Sequence, residues 1–536
     1  MKKIPFLFLF FLCFSFFLQP VFGQKIFSKT IGAADVDEGY RSLRTPDGGF
    51  AMIGYSTGIG IGKKGLLSKY NTNGDLVWAK TLGYLAQEQF YNLSATSDGG
   101  FITCGEGKYC VNFNCGTDAF ITKLDANGGI QWMKGFGGIA WDGGIEVKQL
   151  SDGGYILLGE TVSYGQGNYD MFLIRTDANG DTLWTKTYGS VGVMYGEDKA
   201  AKVEQTADGG FLVLGSYYFG DDSGSNNQYH AVLMKTDGNG NLTWAKALKS
   251  IGSINKGYGM CKLPAGGYAI LTMYYVVIVD NNGNITTSKQ LPSGFSTFGG
   301  QNIHSDISLA NDGNLFVAGG HNGDGCLLKL NTAGEILWAK TYGTGGTTQY
   351  DYFANAVQIP DGRIVVTGSS TSLSPSGTSD QWLLLTDEKG EIPGCFTPQT
   401  LTQNIYTITA ETVTPLSTSG FMISTITSGT SEDASTTTTL TTPCEASYTV
   451  GLEEMTNFGG VLFPIPAQTV LTLTLANTPL NKYTCYDIQG RAVFLPFIEN
   501  TAESRYQWDV SALPKGVFLL KLETDKGIIS ERFIKE

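Results

Sequence analysis

The chain has 536 residues, a net formal charge of −13, 16% charged residues, 12% aromatics and 71 glycines. That length suits two or three domains. The aromatic content excludes a disordered chain, the absence of a three-residue glycine period excludes collagen, and the acidic balance disfavours a nucleic-acid partner, whose phosphates would be repelled. Residues 1–23 read as a secretory signal peptide: Lys2 and Lys3 precede an apolar run from Ile4 to Leu18, and Val21-Phe22-Gly23 leaves small residues for cleavage. The run is short for a membrane span, and no later stretch is long and apolar enough, so the mature chain is expected to cross no bilayer.

Residues 24–395 are dominated by an internal repeat. One anchor reads Asp47-Gly48-Gly49-Phe50, Asp98-Gly99-Gly100-Phe101, Asp152-Gly153-Gly154-Tyr155 and Asp208-Gly209-Gly210-Phe211. Weaker copies start at Ala265, Asp312 and Asp361, so that successive copies lie 47 to 57 residues apart. A second anchor, ending in Gly, interleaves with it at Asn73-Gly74, Asn127-Gly128, Asn179-Gly180, Asn239-Gly240, Asn282-Gly283, Ala333-Gly334 and Lys389-Gly390. Asp-Gly and Asn-Gly between short apolar runs are hairpin signals, because these residues tolerate positive φ. Each unit therefore reads as four short antiparallel strands, and the last of them carries Trp78, Trp132, Trp184, Trp244 or Trp338 in five units.

Seven such units predict an all-β fold, a seven-bladed β-propeller. The seventh unit has a poor last strand, Glu391-Ile392-Pro393-Gly394. Residues 26–32, which match Leu337 to Gly343 in pattern, are expected to supply the missing strand and close the ring. The repeat resembles propellers with pyrroloquinoline-quinone-type repeats and, more closely, the Asp-Gly-Gly repeat propellers of secreted Bacteroidetes proteins. That resemblance bears on fold more than on function.

Residues 396–451 are rich in Thr and Ser and nearly free of charge, which predicts a linker or a small set of exposed strands. From 452 to 536 a compact β pattern returns. It contains Leu462-Phe463-Pro464-Ile465-Pro466-Ala467, then Tyr486-Asp487-Ile488-Gln489-Gly490-Arg491, then Asp509 to Phe518 with Leu513 and Gly516, and last Arg532-Phe533-Ile534-Lys535. These pieces resemble the C-terminal sorting domain of the type IX secretion system, with Ile465 departing from the family's usual Asn. The resemblance implies a small immunoglobulin-like β-sandwich, with Pro464, Pro466, Asp487, Gly490, Arg491, Leu513, Gly516 and Lys535 as its motif residues. It also implies the type IX machinery as partner, passage via the periplasm to the outer surface or medium, and a Bacteroidetes-type source. A plain adhesive module is the alternative.

Eight cysteines follow the signal peptide, and export permits disulfides. Cys110 and Cys115 flank a short loop and are candidates to close it. Cys395 and Cys444 bracket the Thr-rich segment and are candidates to staple it. Cys104, Cys261, Cys326 and Cys485 read as small buried hydrophobes.

Catalytic signals are weak. The three histidines, His230, His304 and His321, have no metal-ligand spacing, and no G-x-S-x-G elbow occurs. Asp177-Ala178-Asn179-Gly180-Asp181 lacks the distal ligands of a calcium loop. No metal and no cofactor are expected. Glu88, Asp142, Asp198 and Asp351 fall near the start of each unit's first strand, where they are expected either to cap loops or to form an acid/base pair. The connections between second and third strands are long and carry Tyr109, Phe113, Tyr164, Tyr169, Tyr217, Tyr218 and Tyr229. Rigid aromatics among Gly, Ser and Asn suit a recognition surface. The expected function is therefore non-catalytic binding of a glycan or protein ligand outside the cell, with a polysaccharide-active hydrolase as the alternative.

Overall fold

The structure is a computed structural model that describes residues 24–392 apart from short loop segments, strands within 409–448, and most of 461–535. The signal-peptide segment lies outside the described residues. The described residues contain strands and no helix, hence no helix long and apolar enough to cross a membrane. Two compact units emerge, Lys25–Ala446 and Ser447–Glu536.

The first unit consists of small antiparallel sheets, an arrangement consistent with a β-propeller. In chain order the sheets span 37–82, 88–136, 142–189, 199–249, 257–290, 295–342 and 352–386. In the third, Asp142–Gln149, Tyr155–Thr161, Asp170–Thr176 and Thr182–Gly189 pair in sequence order.

Both repeat anchors have a local cause. In the Asp-Gly-Gly turn, the Asp98 carboxylate accepts the Gly100 amide at 3.1 Å and the Thr96 hydroxyl at 2.5 Å, and reaches Lys123 on the third strand at 2.8 Å. In the Asn-Gly turn, Asp177 Oδ1 accepts the amides of Asn179 at 2.8 Å and Asp181 at 2.9 Å. The acidic residues that superficially suggested a calcium loop are thus capping backbone donors.

The tryptophans join one sheet to the next. Trp78 packs over Gly128, where a Cβ would stand 2.9 Å from the indole and φ is +77°, so only Gly suits this turn. Trp132 covers Gly180 and Trp184 covers Gly240 in the same way. Trp78 also meets Phe101, and Trp184 meets Phe211, across the same junctions. All five tryptophans are half-buried rather than enclosed, because they sit on outer strands.

Core clusters straddle neighbouring sheets: one joins Leu158 and Met171 of the third to Val213 and Val232 of the fourth. The last sheet meets the first through Leu383 and Leu385 against Phe50 and Met52. The last sheet includes the N-terminal strand Gln24–Gly32, antiparallel to Asp380–Thr386 with Phe27 opposite Leu385 and Ile31 opposite Gln381.

The Thr/Ser-rich segment does more than link. Thr409–Thr412 adds a fifth strand to the fourth sheet, Leu416–Thr418 to the third, Ile423–Ser424 to the second, Ser431–Asp433 to the first and Thr439–Tyr448 to the seventh. The segment thereby runs back along successive outer edges. Threonine favours extended backbone, and an outer strand that pairs through its backbone needs no apolar alternation, so composition alone left a linker and exposed strands as alternatives.

In the second unit, Val461–Phe463, Val470–Thr474, Arg505–Asp509 and Phe497–Ala502 form one four-stranded sheet. Ala492–Val493, Leu480–Asp487, Gly516–Thr524 and Gly527–Lys535 form another. Leu471, Leu473 and Trp508 of the first share a core with Cys485, Leu520 and Phe533 of the second. Leu513 is buried in that core, and Lys535 is also buried. Asp487 ends a strand opposite Phe518, and Gly516 opens the strand opposite Lys535. Pro464, Pro466, Gly490 and Arg491 lie outside the described residues.

Candidate functional site

The innermost strand of most sheets carries a β-bulge at an equivalent place. The shift falls before Arg41, Asn92, Glu146, Lys202, Gly259 and Asn355 in turn. A bulge re-aims the side chain that follows it. Here it gathers Arg41, Glu146, Lys202 and Asn355 together with Asp306 of the sixth sheet into one polar layer. Arg41 pairs with Asp306 and lies 3.7 Å from Glu146. Lys202 is 3.2 Å from Asp306 and 3.6 Å from Glu146. Lys148 reaches Glu204 at 2.5 Å.

Burial works to raise the Glu146 and Asp306 carboxyls, yet Lys202 and Arg41, joined at Glu146 by Lys148, hold both below the usual carboxylate range. Lys202 is lowered by burial and by Arg41 beside it. Charges buried this deeply persist only when paired.

A cavity of about 420 Å³ adjoins this layer, within the size range of small-molecule sites. Each of the seven sheets, or the loop leading into it, supplies lining: Tyr40, Tyr91, Trp141, Lys199, Lys256, Ser305 and Ala354, in chain order. Trp141 and Tyr169 pack with ring centres 5.3 Å apart. Lys199 sits 4.0 Å over the Tyr169 ring, 3.1 Å from Glu160 and 3.5 Å from Glu197. Glu160 also accepts the Ala200 amide at 2.9 Å, and burial raises its carboxyl. Lys256 lies 4.0 Å over Tyr229, whose ring meets Tyr218 at 5.0 Å.

The sequence-selected aromatics divide into groups. Tyr169 lines the cavity, and Tyr229 reaches its rim through Lys256. Tyr218 supports Tyr229. Tyr164 is half-buried against the connection from the second sheet to the third, its hydroxyl donating to the Gly137 carbonyl at 3.3 Å. Tyr217, expected on the recognition surface, is instead a core residue, 2% exposed with its hydroxyl 3.1 Å from Met234 Sδ. Strand alternation accounts for this, since Tyr217 and Tyr218 are neighbours and must point to opposite faces. Tyr109 stands opposite Gly116 in a hairpin whose side chains there lie outside the described set, as does Phe113. Cys110 and Cys115 are cross-strand partners in that hairpin. Cys444 lies in the strand Thr439–Tyr448, and Cys395 is outside the described residues. Cys104, Cys326 and Cys485 are buried.

Three of the four acidic residues at the strand starts cap loops. Asp142 accepts the Ser163 hydroxyl at 2.7 Å and the Gly138 amide at 2.8 Å. Asp198 accepts the amides of Ser190 and Tyr218. Asp351 accepts the Ser370 hydroxyl at 2.8 Å and the Thr371 amide at 3.0 Å. Glu88 is fully buried beside Gly83. A third-strand acid faces several of them across the junction, as Asp118 faces Asp142 around Gly137. Burial, and then Asp142, raises the Asp118 carboxyl to about 7.

Arg41, Trp141, Glu160, Lys199 and Lys256 were not singled out in the sequence. For Arg41 the signal lies in how the repeats differ, since the residue after the first-strand bulge varies in charge from sheet to sheet; the other four carry no such local signal.

No curated protein matches the chain. Among solved structures, a protein of unknown function from Bacteroides caccae is 13% identical with a TM-score of 0.32, covering 56% of this chain and 93% of its own. An ulvan lyase, from a new family of polysaccharide lyases, is 11% identical with a TM-score of 0.37, covering 69% and 96%. A fungal alcohol oxidase in complex with copper is 11% identical with a TM-score of 0.36, covering 94% and 98%. Residues 461–536 match the family described as the secretion system C-terminal sorting domain, so the chain carries at this end a type IX sorting tail, the mark of a protein exported to the cell surface or beyond.

Proposed function

We propose that the chain is a secreted or cell-surface seven-bladed β-propeller that binds a glycan or protein ligand at the mouth of its central channel without transforming it. The observation that carries this reading is the cavity that residues of all seven sheets, or of the loops leading into them, line, with aromatic and polar groups from the first six. The closed ring is supported by the Gln24–Gly32 strand on the last sheet and by the shared core of last and first sheets. Residues 1–23 act as signal peptide and 452–536 as an immunoglobulin-like sorting domain that engages the type IX machinery after passage through the periplasm. Residues 396–451 belong functionally with the propeller whose sheet edges they cover. Cys110 and Cys115 form a disulfide that ties the hairpin beside the site.

A non-catalytic role is favoured because Asp142, Asp198 and Asp351 are committed to loop amides and hydroxyls. The test is titration of the mature chain and its Trp141→Ala variant against a glycan panel and against surface extracts. Loss of binding in the variant with unchanged melting supports the site. Unchanged binding in the variant removes it.

A further inference from the structure

The lining of the cavity is cationic although the protein as a whole carries −13. Arg41, Lys199, Lys202 and Lys256 face it against a single carboxylate, Glu160. Arg41 and Lys202 are neutralised from below by Asp306 and Glu146, and Lys199 by Glu160 and Glu197. Lys256 differs: among the described residues no carboxylate lies within 4.0 Å of it, and its ammonium rests on the Tyr229 ring. Burial and the neighbouring Lys199 lower its pKa against the weaker opposing pull of Glu197 and Glu160, so an anion placed beside it would relieve both costs.

Flat rings stand around these cations: Tyr40, Tyr91, Trp141, Tyr169 and Tyr258. Such faces suit the apolar side of a pyranose ring, and the volume of about 420 Å³ suits one or two sugar units rather than a folded protein segment. The cations lie inside a concavity and not across a broad surface, which excludes a duplex nucleic acid. Beyond about 8 Å the acidic exterior is screened at physiological salt, so it does not keep a sparsely charged oligosaccharide away.

We infer that the channel mouth takes an acidic oligosaccharide, with Lys256 meeting its carboxylate or sulfate while Trp141 and Tyr169 stack on the sugar. The inference rests on the binding role proposed above and adds the ligand's charge and the residue that reads it. Lys256 is a specificity residue: it acts on which glycan binds, and its half-buried position leaves the core untouched.

The experiment titrates the full mature chain with oligogalacturonate, a sulfated galactan oligosaccharide, and neutral cello- and xylo-oligosaccharides. Each is repeated with Lys256→Gln, Lys256→Arg and Trp141→Ala. The expected result is binding of one acidic class, at least tenfold weaker in Lys256→Gln, largely restored in Lys256→Arg, and weakened by added salt. The oligogalacturonate and sulfated arms decide which anionic group is read. Equal binding of neutral sugars, or undiminished acidic binding in Lys256→Gln, overturns the inference while a Trp141→Ala effect keeps the site. Failure of every glycan to bind the wild-type chain overturns it as well, and an intact response of Trp141→Ala to a protein ligand then removes the site too.

Discussion

Phe27 covers Gly74 as Trp78 covers Gly128: the ring of one sheet's last strand lies on the hairpin turn of the next. Phe27 belongs to the N-terminal strand on the seventh sheet, and Gly74 to the first. The junction between the two ends of the repeat array therefore uses the same device as the internal junctions.

Phe27→Ala is expected to destabilise the protein by about 3–5 kcal/mol, as large aromatic truncations in cores do. Trp184→Ala should cost less, about 2–3 kcal/mol, because its ring is half-buried. Denaturant unfolding of both variants measures this. A larger loss at Trp184 than at Phe27 would show that ring closure contributes little.

The strands of 409–448 give a second prediction. They cover outer edges that would otherwise expose unpaired backbone donors and acceptors. A chain ending at 395 should unfold at lower denaturant than one ending at 448, and should be cut sooner by protease and associate more readily. Equal midpoints and equal solubility would mean that these strands are passengers.

These two cases show what the sequence made legible. Four-stranded periodicity, both turn anchors and the pairing of 26–32 with the last unit could be read, the turns because hairpins demand Asp, Asn and Gly locally. Exposed strands in the Thr-rich segment were one of two readings, but the sheets they join were not legible, since such segments pair by backbone alone. The site was half legible: Tyr169 and Tyr229 were selected from loop composition, but Tyr217 was assigned to the wrong side of its strand. Lys199 and Lys256 escaped because only the bulge and closure of the sheets bring them together, and no local spacing records that.

Asp118 gives a pH-dependent prediction. Burial lifts its folded carboxyl to about 7, above its unfolded value, so the folded state holds a proton that the unfolded state releases. Stability from this group is full at acid pH and is lost as pH rises from about 4 towards 7. Asp118→Asn should thus stabilise the protein by about 1–3 kcal/mol at pH 8 and by little at pH 4. Unfolding at both pH values tests this. A difference that does not change with pH would mean that Asp118 is not protonated in the fold.

Export depends on the tail. Removal of residues 461–536 should leave the protein inside the outer membrane, while the full chain reaches the surface or medium. Cell fractionation reads the outcome, and normal appearance of the truncated chain outside the cell would remove the sorting role.

The proposed ligand site is the channel mouth between Trp141 and Lys256. A crystal structure of the mature chain with the tightest-binding oligosaccharide is the decisive measurement. A sugar ring on Trp141 and Tyr169 with an anionic group beside Lys256 is the expected result; a ligand bound instead on the face of the Asp-Gly and Asn-Gly turns would refute the site.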